Sequence, residues 1–164
     1  MGGASMGSKA MGQVVEAVKP DGQAGASRLD QFVCFSIYAA NHALNRAYKP
    51  LLDALGLTYP QYIVMVVLWE QDQRTVSEIG AALYLESNTL TPILKRMQGM
   101  GLVSRSRSEA DERQVIISLT GAGRALQAKA ATVPDCILKA SGMDADDLMR
   151  LNAMIRTLNH NLRR

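Results

Sequence analysis

The sequence predicts a mainly helical α+β fold, a winged helix-turn-helix with further helices before and after it. Two short segments with apolar residues at helical spacing, 76–83 and 87–101, are joined by a tight turn. Two extended segments follow, 102–107 and 113–119, and the second alternates apolar residues as a half-buried strand does. A final apolar stripe lies over 148–162. Helix, turn, helix and ribbon in this order are typical of a winged helix.

Length and composition indicate one soluble domain. The chain has 164 residues, 48% of them hydrophobic, and a net charge of +3, which is enough apolar material for a single core. It has no apolar run long enough to span a membrane and lacks the continuous apolar segment of a secretory signal. We therefore expect a cytoplasmic protein without membrane association.

The first 26 residues contain glycine, alanine, serine and scattered charges without a sustained period. We predict a flexible N-terminal extension over 1–26 and a single folded domain over 27–164. Met1, Met6 and Met11 each lie close to a glycine. The sequence leaves open which of them is the natural start and whether part of the extension comes from the expression vector.

Two helices are predicted at the start of the domain. Ser27 followed by Asp30 resembles a capping box, and apolar residues continue at helical spacing to about Tyr48. Pro50 suits the first turn of a new helix, and Gly56 is expected to stop it. The pattern therefore predicts a long first helix and a short second one.

A third helix leads into the helix-turn-helix. Thr58 can cap it, and the segment 60–69 is apolar nearly all round, as expected of a helix at the centre of a core. The residues 74–76 then connect to the first helix of the motif, 76–83, for which Ser77 is the N-cap candidate.

The second helix of the motif, 87–101, has two different faces and ends at Gly101. Its apolar stripe comprises Leu90, Ile93, Leu94 and Met97. The opposite face carries short hydroxyls and two cations: Ser87, Thr89, Thr91, Lys95 and Arg96. Such hydroxyls approach phosphates and base edges, and cations neutralise phosphate charge, so this face is predicted to bind double-stranded DNA. A solvated cationic face is the alternative.

The ribbon favours the DNA-binding interpretation because it adds local positive charge. Between Ser87 and Arg107 the chain has no acidic residue and four basic ones: Lys95, Arg96, Arg105 and Arg107. The net charge of the whole chain is only +3. The positive charge is therefore concentrated on this part of the motif.

The turn of the ribbon, 108–112, predicts the tip of a wing. Arg113 follows it, and a guanidinium at a wing tip can enter a narrow, electronegative minor groove. Asp111, two residues earlier, is suited to hold that side chain in position. Glu109, Asp111 and Glu112 are unfavourable next to phosphates, so a solvated acidic turn is the alternative for them.

The C-terminal segment predicts dimerisation. Thr120 caps a long helical segment that Pro134 is expected to kink, and a final helix follows Gly142. The stripe of that helix comprises Leu148, Leu151, Ile155, Leu158 and Leu162. One small winged domain does not need this stripe for its own core, and DNA-binding proteins of this kind commonly pair two-fold. Packing of the stripe within its own chain is the alternative.

The domain is therefore expected to have two parts. The winged helix-turn-helix covers about 58–120. Helices at about 27–48 and 120–163 form the dimerisation region, and the homodimer would bind a pseudo-palindromic operator.

The two cysteines do not form a metal motif, because no Cys/His cluster has ligand spacing and His42 and His160 stand alone. No metal and no cofactor are expected. The usual fate of a cysteine such as Cys34 is a small inert core side chain. It lies about two turns beyond the predicted cap, so the dipole of its own helix is not expected to activate it. The available donors are tyrosine hydroxyls: Tyr38, Tyr48, Tyr59 and Tyr62.

Five segments resemble the MarR family, specifically its organic hydroperoxide resistance regulator branch. They are Phe32-Val33-Cys34-Phe35, Tyr48-Lys49-Pro50-Leu51-Leu52, Leu57-Thr58-Tyr59-Pro60-Gln61-Tyr62, Thr89-Leu90-Thr91-Pro92 and Asp111-Glu112-Arg113. The resemblance covers roughly Leu29 to the C-terminus. It implies a homodimeric winged-helix repressor in which Cys34 is the peroxidatic thiol and tyrosines matching Tyr48 and Tyr59 come from the partner subunit. It also implies that Arg113 contacts the minor groove.

Three positions depart from the family pattern or match it weakly. Glu86 and Asn88 stand where the family more often has Asp and Gly before the recognition helix. Asn88 tolerates positive φ and is kept among the DNA-binding candidates. Cys136 falls where two-cysteine members of the branch carry a resolving thiol, and an inert core residue is the alternative.

The sequence thus predicts a DNA-binding repressor rather than an enzyme. Organic hydroperoxides, including lipid hydroperoxides, are expected to oxidise Cys34 and so release the operator. One alternative is a repressor released by a phenolic or other aromatic ligand. The other is a thiol peroxidase, in which Cys34 would turn over repeatedly with a thiol reductant.

Overall fold

The computed structural model describes residues 28–108 and 111–163 of the chain. The predicted extension 1–26, the predicted cap at Ser27 and Glu109 of the wing turn lie outside the described residues. The chain divides into two compact units, Met1–Ile37 and Tyr38–Arg164.

The first long helix differs from the prediction at both ends. A 3₁₀ helix, Arg28–Gln31, precedes α1, which spans Val33–Asp53. The predicted break at Pro50 is wrong, because α1 continues through it and the Ala54 N–H still donates to the Pro50 carbonyl. Proline lacks a donor of its own but keeps its acceptor, and here it lies near the helix end. Gly56, at φ +68°, terminates this segment as predicted.

Helix α2, Tyr59–Glu70, is the central helix of the core. Thr58 precedes it, and the Thr58 N–H donates to the Gln61 side chain at 2.8 Å. The predicted all-round apolar character is confirmed, since Val64, Met65 and Leu68 are completely buried.

The helix-turn-helix consists of α3, Val76–Leu83, and α4, Ser87–Gly99. The predicted cap at Ser77 is wrong. Thr75 is the N-cap, because its side chain accepts from the Glu78 N–H at 3.2 Å while the Glu78 carboxylate accepts from the Thr75 N–H at 2.7 Å. A reciprocal box of this kind is available only to the residue three positions before the glutamate.

The predicted two-stranded ribbon is confirmed, and a third, short strand pairs with it. Strand β1 is Arg74–Thr75, β2 is Val103–Arg107 and β3 is Val115–Leu119, in the antiparallel order β1-β3-β2. The sequence described 74–76 only as a connection, because two residues are too few to form a periodic pattern. Arg74 and Arg105 both stand opposite Ile117.

Three helices complete the fold: α5, Gly121–Ala130, α6, Val133–Ser141, and α7, Ala145–Leu162. The single kinked helix predicted after Thr120 is in fact α5 and α6. Pro134 does not kink a continuous helix; it lies in the first turn of α6, where its missing N–H would have no partner anyway. The predicted final helix after Gly142 is confirmed as α7, capped by Asp144.

The core lies between α2, α3, α4 and the sheet, with contributions from α5 and α6. By contrast, α7 contributes no buried residue. Within the described part of the chain, no helix is both long and apolar enough to cross a membrane.

Candidate DNA-binding and thiol sites

Helix α4 is held in the core by its apolar stripe. Leu90, Leu94 and Met97 are completely buried, and Ile93 is half-buried. The opposite face is therefore turned outward. Its candidate residues are all exposed except the half-buried Thr91: Ser87, Asn88, Thr89, Lys95 and Arg96.

The first turn of α4 uses its polar side chains locally. The Thr91 hydroxyl donates to the Ser87 carbonyl at 2.6 Å, and the Thr89 hydroxyl donates to the Asn88 side-chain oxygen at 3.2 Å. The positive φ tolerated by Asn88 is not needed, because Asn88 lies inside α4. Instead Tyr84, at φ 57°, takes the left-handed conformation in the turn between α3 and α4.

The tip of the wing holds Arg113 as the sequence suggested. Asp111 accepts hydrogen bonds from the Arg113 backbone N–H at 3.1 Å and from its Nε at 3.3 Å. These hydrogen bonds, the backbone one first, lower the pKa of the Asp111 carboxyl. The Arg113 side chain is 93% exposed, so it is free to enter a groove.

The other two wing cations differ from each other. Arg107, at the outer end of β2, is exposed. Arg105 is half-buried, and its Nε is buried without a hydrogen-bond partner among the described residues. Arg107 is thus freely accessible, whereas Arg105 is partly covered.

A junction that the sequence did not reveal ties the wing to α2 and α5. Asp72 accepts from the Leu119 N–H at 2.8 Å and from the Arg124 guanidinium at 2.5 Å. The Trp69 indole donates to the Gly123 carbonyl at 3.0 Å. No local pattern indicates these contacts, because each joins residues about 50 positions apart.

Cys34 is an exposed free thiol, so the expectation of an inert core residue is wrong for this chain. It is the second residue of α1, not two turns beyond a cap, because the helix begins at Val33. The expectation that its own helix dipole is too distant is therefore also wrong. The first turn of a helix has unpaired N–H groups and favours a negative charge.

Three tyrosines of the second unit form a cluster. The rings of Tyr48 and Tyr59 lie 4.9 Å apart, and those of Tyr48 and Tyr62 lie 6.0 Å apart. Burial, followed by the neighbouring phenols Tyr59 and Tyr62, raises the pKa of Tyr48 to about 12. Burial also raises the pKa of Tyr62. At physiological pH the Tyr48 phenol is therefore a neutral hydrogen-bond donor.

Tyr48 and Tyr59 border an open cavity of about 290 Å³, with Asn45, Leu52 and Pro60 also in its wall. Among the described residues, neither the Tyr48 nor the Tyr59 hydroxyl has a hydrogen-bond partner. Two donors at the mouth of a cavity are thus available to an acceptor from outside.

Cys136 is a free, half-buried cysteine on α6. Next to it, an apolar groove of about 500 Å³ lies between α6 and α7, with Leu44, Leu138, Leu148 and Ile155 among its lining residues. Met149 and Met154 on α7 are 63% and 70% exposed. This surface has the apolar character of a protein-protein contact.

His42 packs edge-on against Tyr38 at 4.4 Å between ring centroids. Over the described ranges, no group of His, Cys, Asp and Glu side chains has the arrangement needed to hold a metal ion.

Comparisons with known proteins agree with this architecture. A family model described as transcriptional regulator SarA/Rot matches residues 46–129. The organic hydroperoxide resistance transcriptional regulator of Bacillus subtilis is 47% identical over 131 residues, which are 80% of this chain and 89% of that protein.

Two solved structures of AbfR, a protein of Staphylococcus epidermidis, are also similar. Reduced AbfR bound to DNA has a TM-score of 0.71 and 36% identity, covering 82% of this chain and 95% of that one. AbfR in its disulfide form has a TM-score of 0.57 and 36% identity, covering 83% and 90%.

Proposed function

Because this chain belongs to the MarR family of DNA-binding winged-helix transcriptional regulators, in its organic hydroperoxide resistance branch, we propose that it is a redox-sensing repressor. As a homodimer it binds a pseudo-palindromic operator. Oxidation of Cys34 by an organic hydroperoxide releases the DNA and derepresses peroxide-resistance genes.

DNA is read by α4 and the wing. The exposed face of α4 enters the major groove, where its hydroxyls approach base edges and phosphates. Lys95, Arg96 and Arg107 neutralise phosphates, and Arg113 enters the minor groove. The fixed orientation of Arg113 on Asp111 supports this role.

The sensing reaction is a two-electron oxidation of one thiolate. The Cys34 sulfur attacks the terminal oxygen of the hydroperoxide, the O–O bond breaks, and an S–O bond forms. The alkoxide leaves and takes one proton from water to become the alcohol, while the hydroxyl group transferred to the sulfur makes the sulfenic acid. The hydroperoxide is thereby reduced and Cys34 is oxidised.

The observation that carries this proposal is the pair of phenols with no hydrogen-bond partner among the described residues. Tyr48 and Tyr59 lie side by side at an open cavity. Their hydroxyls donate to the Cys34 thiolate of the partner subunit, and this stabilises the reactive form. The exposure of Cys34 supports the proposal, because the thiol is accessible to a partner and to a peroxide.

Dimerisation is supported by the uncovered apolar side of α7 and by the groove beside it. Leu151 and Ile155 are each more than 40% exposed in the single chain. Covering these side chains with a second copy removes them from water, which is the main driving force of such an interface.

Cys136 resolves the sulfenic acid. Its thiolate attacks the Cys34 sulfur of the other subunit, the S–O bond breaks, and hydroxide leaves as water after taking a proton. An intersubunit disulfide results. AbfR, which is 36% identical to this chain, has a disulfide form, and this supports the route.

Gel-shift titration tests the proposal on the DNA upstream of the chain's own gene, with and without cumene hydroperoxide. The parent protein should bind and then release this DNA, whereas Cys34→Ser should bind and stay bound. Non-reducing gels should show a covalent dimer that is absent in Cys34→Ser and in Cys136→Ser. A parent that releases DNA but stays monomeric on the gel would contradict the disulfide and favour a one-cysteine mechanism.

The tyrosine assignment has its own test. Tyr48→Phe and Tyr59→Phe should slow Cys34 oxidation while leaving DNA binding intact, because each removes one donor. Tyr84→Phe is the matched control, since Tyr84 lies in the turn between α3 and α4 and is not part of the tyrosine cluster. Parental oxidation rates in both cluster variants would contradict the assignment.

The two alternatives remain distinguishable. A ligand-released repressor would leave DNA on addition of a phenol without any oxidant, and the cavity of about 290 Å³ beside Tyr48 is the place for such a ligand. A thiol peroxidase would consume many equivalents of hydroperoxide in the presence of a thiol reductant. A sensor consumes one equivalent per Cys34.

A further inference from the structure

Gln61 is a buried polar side chain in the core, with 7% of its surface exposed. Its two polar atoms bind partners on two different elements. The side-chain oxygen accepts from the Thr58 N–H at 2.8 Å, and the side-chain nitrogen donates to the Met100 sulfur at 3.5 Å. Gln61 therefore joins the start of α2 to the end of α4.

The start of α2 belongs to the tyrosine cluster. Thr58 directly precedes Tyr59, whose ring packs on Tyr48 at 4.9 Å. The Gln61 carbonyl group binds the backbone N–H at this turn and so fixes the chain from which the Tyr59 side chain extends. A displacement of the turn moves Tyr59 and Gln61 together.

The end of α4 is the cationic end of the recognition helix. Met100 is the C-cap, and its N–H donates to the Arg96 carbonyl at 2.9 Å. Gly101, at φ +72°, then reverses the chain. Lys95 and Arg96 stand exposed in the preceding turn, and the Met100 N–H is bonded to the backbone of that turn through the Arg96 carbonyl.

The contact between Gln61 and Met100 can be kept when the start of α2 moves. A thioether is a weak acceptor on a flexible side chain, and Met100 is 43% exposed, so it has room to follow its donor. A buried amide N–H without an acceptor is unfavourable. Movement at the start of α2 is therefore transmitted to Met100 instead of leaving the Gln61 amide without a partner.

We propose that Gln61 is a positioning residue that couples the tyrosine cluster to the recognition helix through the Met100 sulfur. The inference rests on the proposed function, because oxidation of Cys34 is the event that alters the tyrosine cluster. Gln61 does not touch the reacting thiol in this mechanism. It converts a change beside Tyr59 into a change in the DNA-binding face of α4.

The experiment compares three variants with the parent. Met100→Leu removes the acceptor and nearly conserves volume, whereas Met100→Gln restores an oxygen acceptor. Met143→Leu is the matched control, because Met143 lies between α6 and α7 and not at the end of α4. The measurements are operator Kd before and after cumene hydroperoxide, the rate of Cys34 oxidation, and Tm.

In Met100→Leu, the ratio of oxidised to reduced Kd should fall by about fivefold or more, within the usual range of coupling between sites. Cys34 oxidation and Tm should stay at parental values, and Met100→Gln and Met143→Leu should keep the parental ratio. A purely structural role would change Tm and leave the ratio unaltered.

Three results would overturn the inference. They are an unchanged ratio in Met100→Leu, an equal loss in Met100→Gln, and a loss accompanied by slower Cys34 oxidation. A parent whose Kd does not change on oxidation would overturn the proposed function itself, and the inference with it. The Kd of the parent before and after oxidation therefore distinguishes a failure of the proposed function from a failure of this inference alone.

Discussion

The winged core and the C-terminal helix α7 differ in the burial of their apolar residues. The winged core is formed by α2, α3, α4 and the sheet. In the winged core, Leu68, Leu94 and Ile117 are completely buried. In α7 no residue is buried, and Met154 is 70% exposed. One region reaches native packing within a single chain, whereas the other presents an apolar surface that needs a partner.

The difference has a consequence for stability. Side chains in a closed core are stabilised by burial that does not depend on protein concentration. Side chains that are covered only by a second copy are stabilised by mass action, so their contribution rises with concentration. The two regions should therefore respond differently to the same kind of substitution.

The largest expected effect is in the closed core. Leu94→Ala removes a completely buried side chain of α4 and should lower the free energy of unfolding by about 2–5 kcal/mol. Denaturant unfolding at several protein concentrations measures this cost, which should be present at each of them.

Ile155→Ala is the matched α7 variant, because Ile155 is 43% exposed in the single chain. Its destabilisation should appear as a steeper dependence of Tm on protein concentration, because it weakens the dimer. If both variants lose the same free energy at every concentration, α7 does not lie in a dimer interface.

The next effect concerns the junction between the wing and α5. A Cβ at Gly123 would lie 2.1 Å from the Leu102 carbonyl oxygen, so the backbone has to move. We expect Gly123→Ala to cost about 1–3 kcal/mol of unfolding free energy, as for other overpacked sites. Thermal unfolding followed by circular dichroism measures it.

Gly121→Ala is the control two residues earlier, where a Cβ meets nothing within 4 Å. It should be neutral or slightly stabilising, because alanine favours a helix more than glycine does. Equal Tm values for the two variants would mean that α5 does not pack closely on Leu102.

A smaller effect on stability is expected at the wing tip. Arg113 is 93% exposed, so Arg113→Ala should change the free energy of unfolding by no more than about 0.5 kcal/mol. Operator binding should nevertheless weaken by about 1–3 kcal/mol, as for a side chain that contacts bases. Fluorescence anisotropy at physiological salt measures this loss.

Lys95→Ala provides the contrast on α4. It should weaken binding to all sequences and reduce the salt dependence of log K by about one unit of slope if the ammonium group contacts a phosphate. An unchanged slope would make Lys95 part of a solvated face. Unchanged operator affinity in Arg113→Ala would likewise remove the wing from DNA recognition.

The smallest expected effect on stability concerns Tyr48 and is absent at neutral pH. Burial raises its pKa to about 12, so folding favours the neutral phenol. Its contribution to stability is fully present below pH 10 and is lost as the pH rises from there through the pKa of the folded state. Tyrosinate absorbance should show a transition near pH 12 that Tyr48→Phe lacks and Tyr84→Phe retains.

Residue patterns were sufficient for the long elements of the winged core. The apolar stripe of α4 and the alternation of β3 predicted the buried faces that the structure has, because both periods extend over several residues. Arg113 and Asp111 were also predicted as a pair, since they lie two positions apart and meet within one turn. The same patterns indicated the stripe of α7, which is not buried in the single chain. The roles of Cys34, Tyr48 and Tyr59 follow from the family motifs and stay predictions.

Local sequence was misleading where two signals competed. Pro50 and Pro134 were each interpreted from proline chemistry alone, yet α1 continues through Pro50 and α6 begins at Pro134. Whether a proline lies inside a helix or starts one depends on the neighbouring packing as well as on its missing N–H. Ser77 has the side chain of a cap, but only Thr75 stands three positions before Glu78 and so completes the reciprocal hydrogen bonds.

The sequence by itself thus determined the helix-turn-helix and its ribbon, the buried faces of α4 and β3, and the family to which the chain belongs. The tertiary structure alone decided the third strand, the Asp72 junction and the two-sided contacts of Gln61. It also revealed that Cys34 stands exposed in the first turn of α1. The physical reason is distance along the chain: periodicity reports which side of an element is apolar, whereas hydrogen bonds between elements depend on where distant backbones meet.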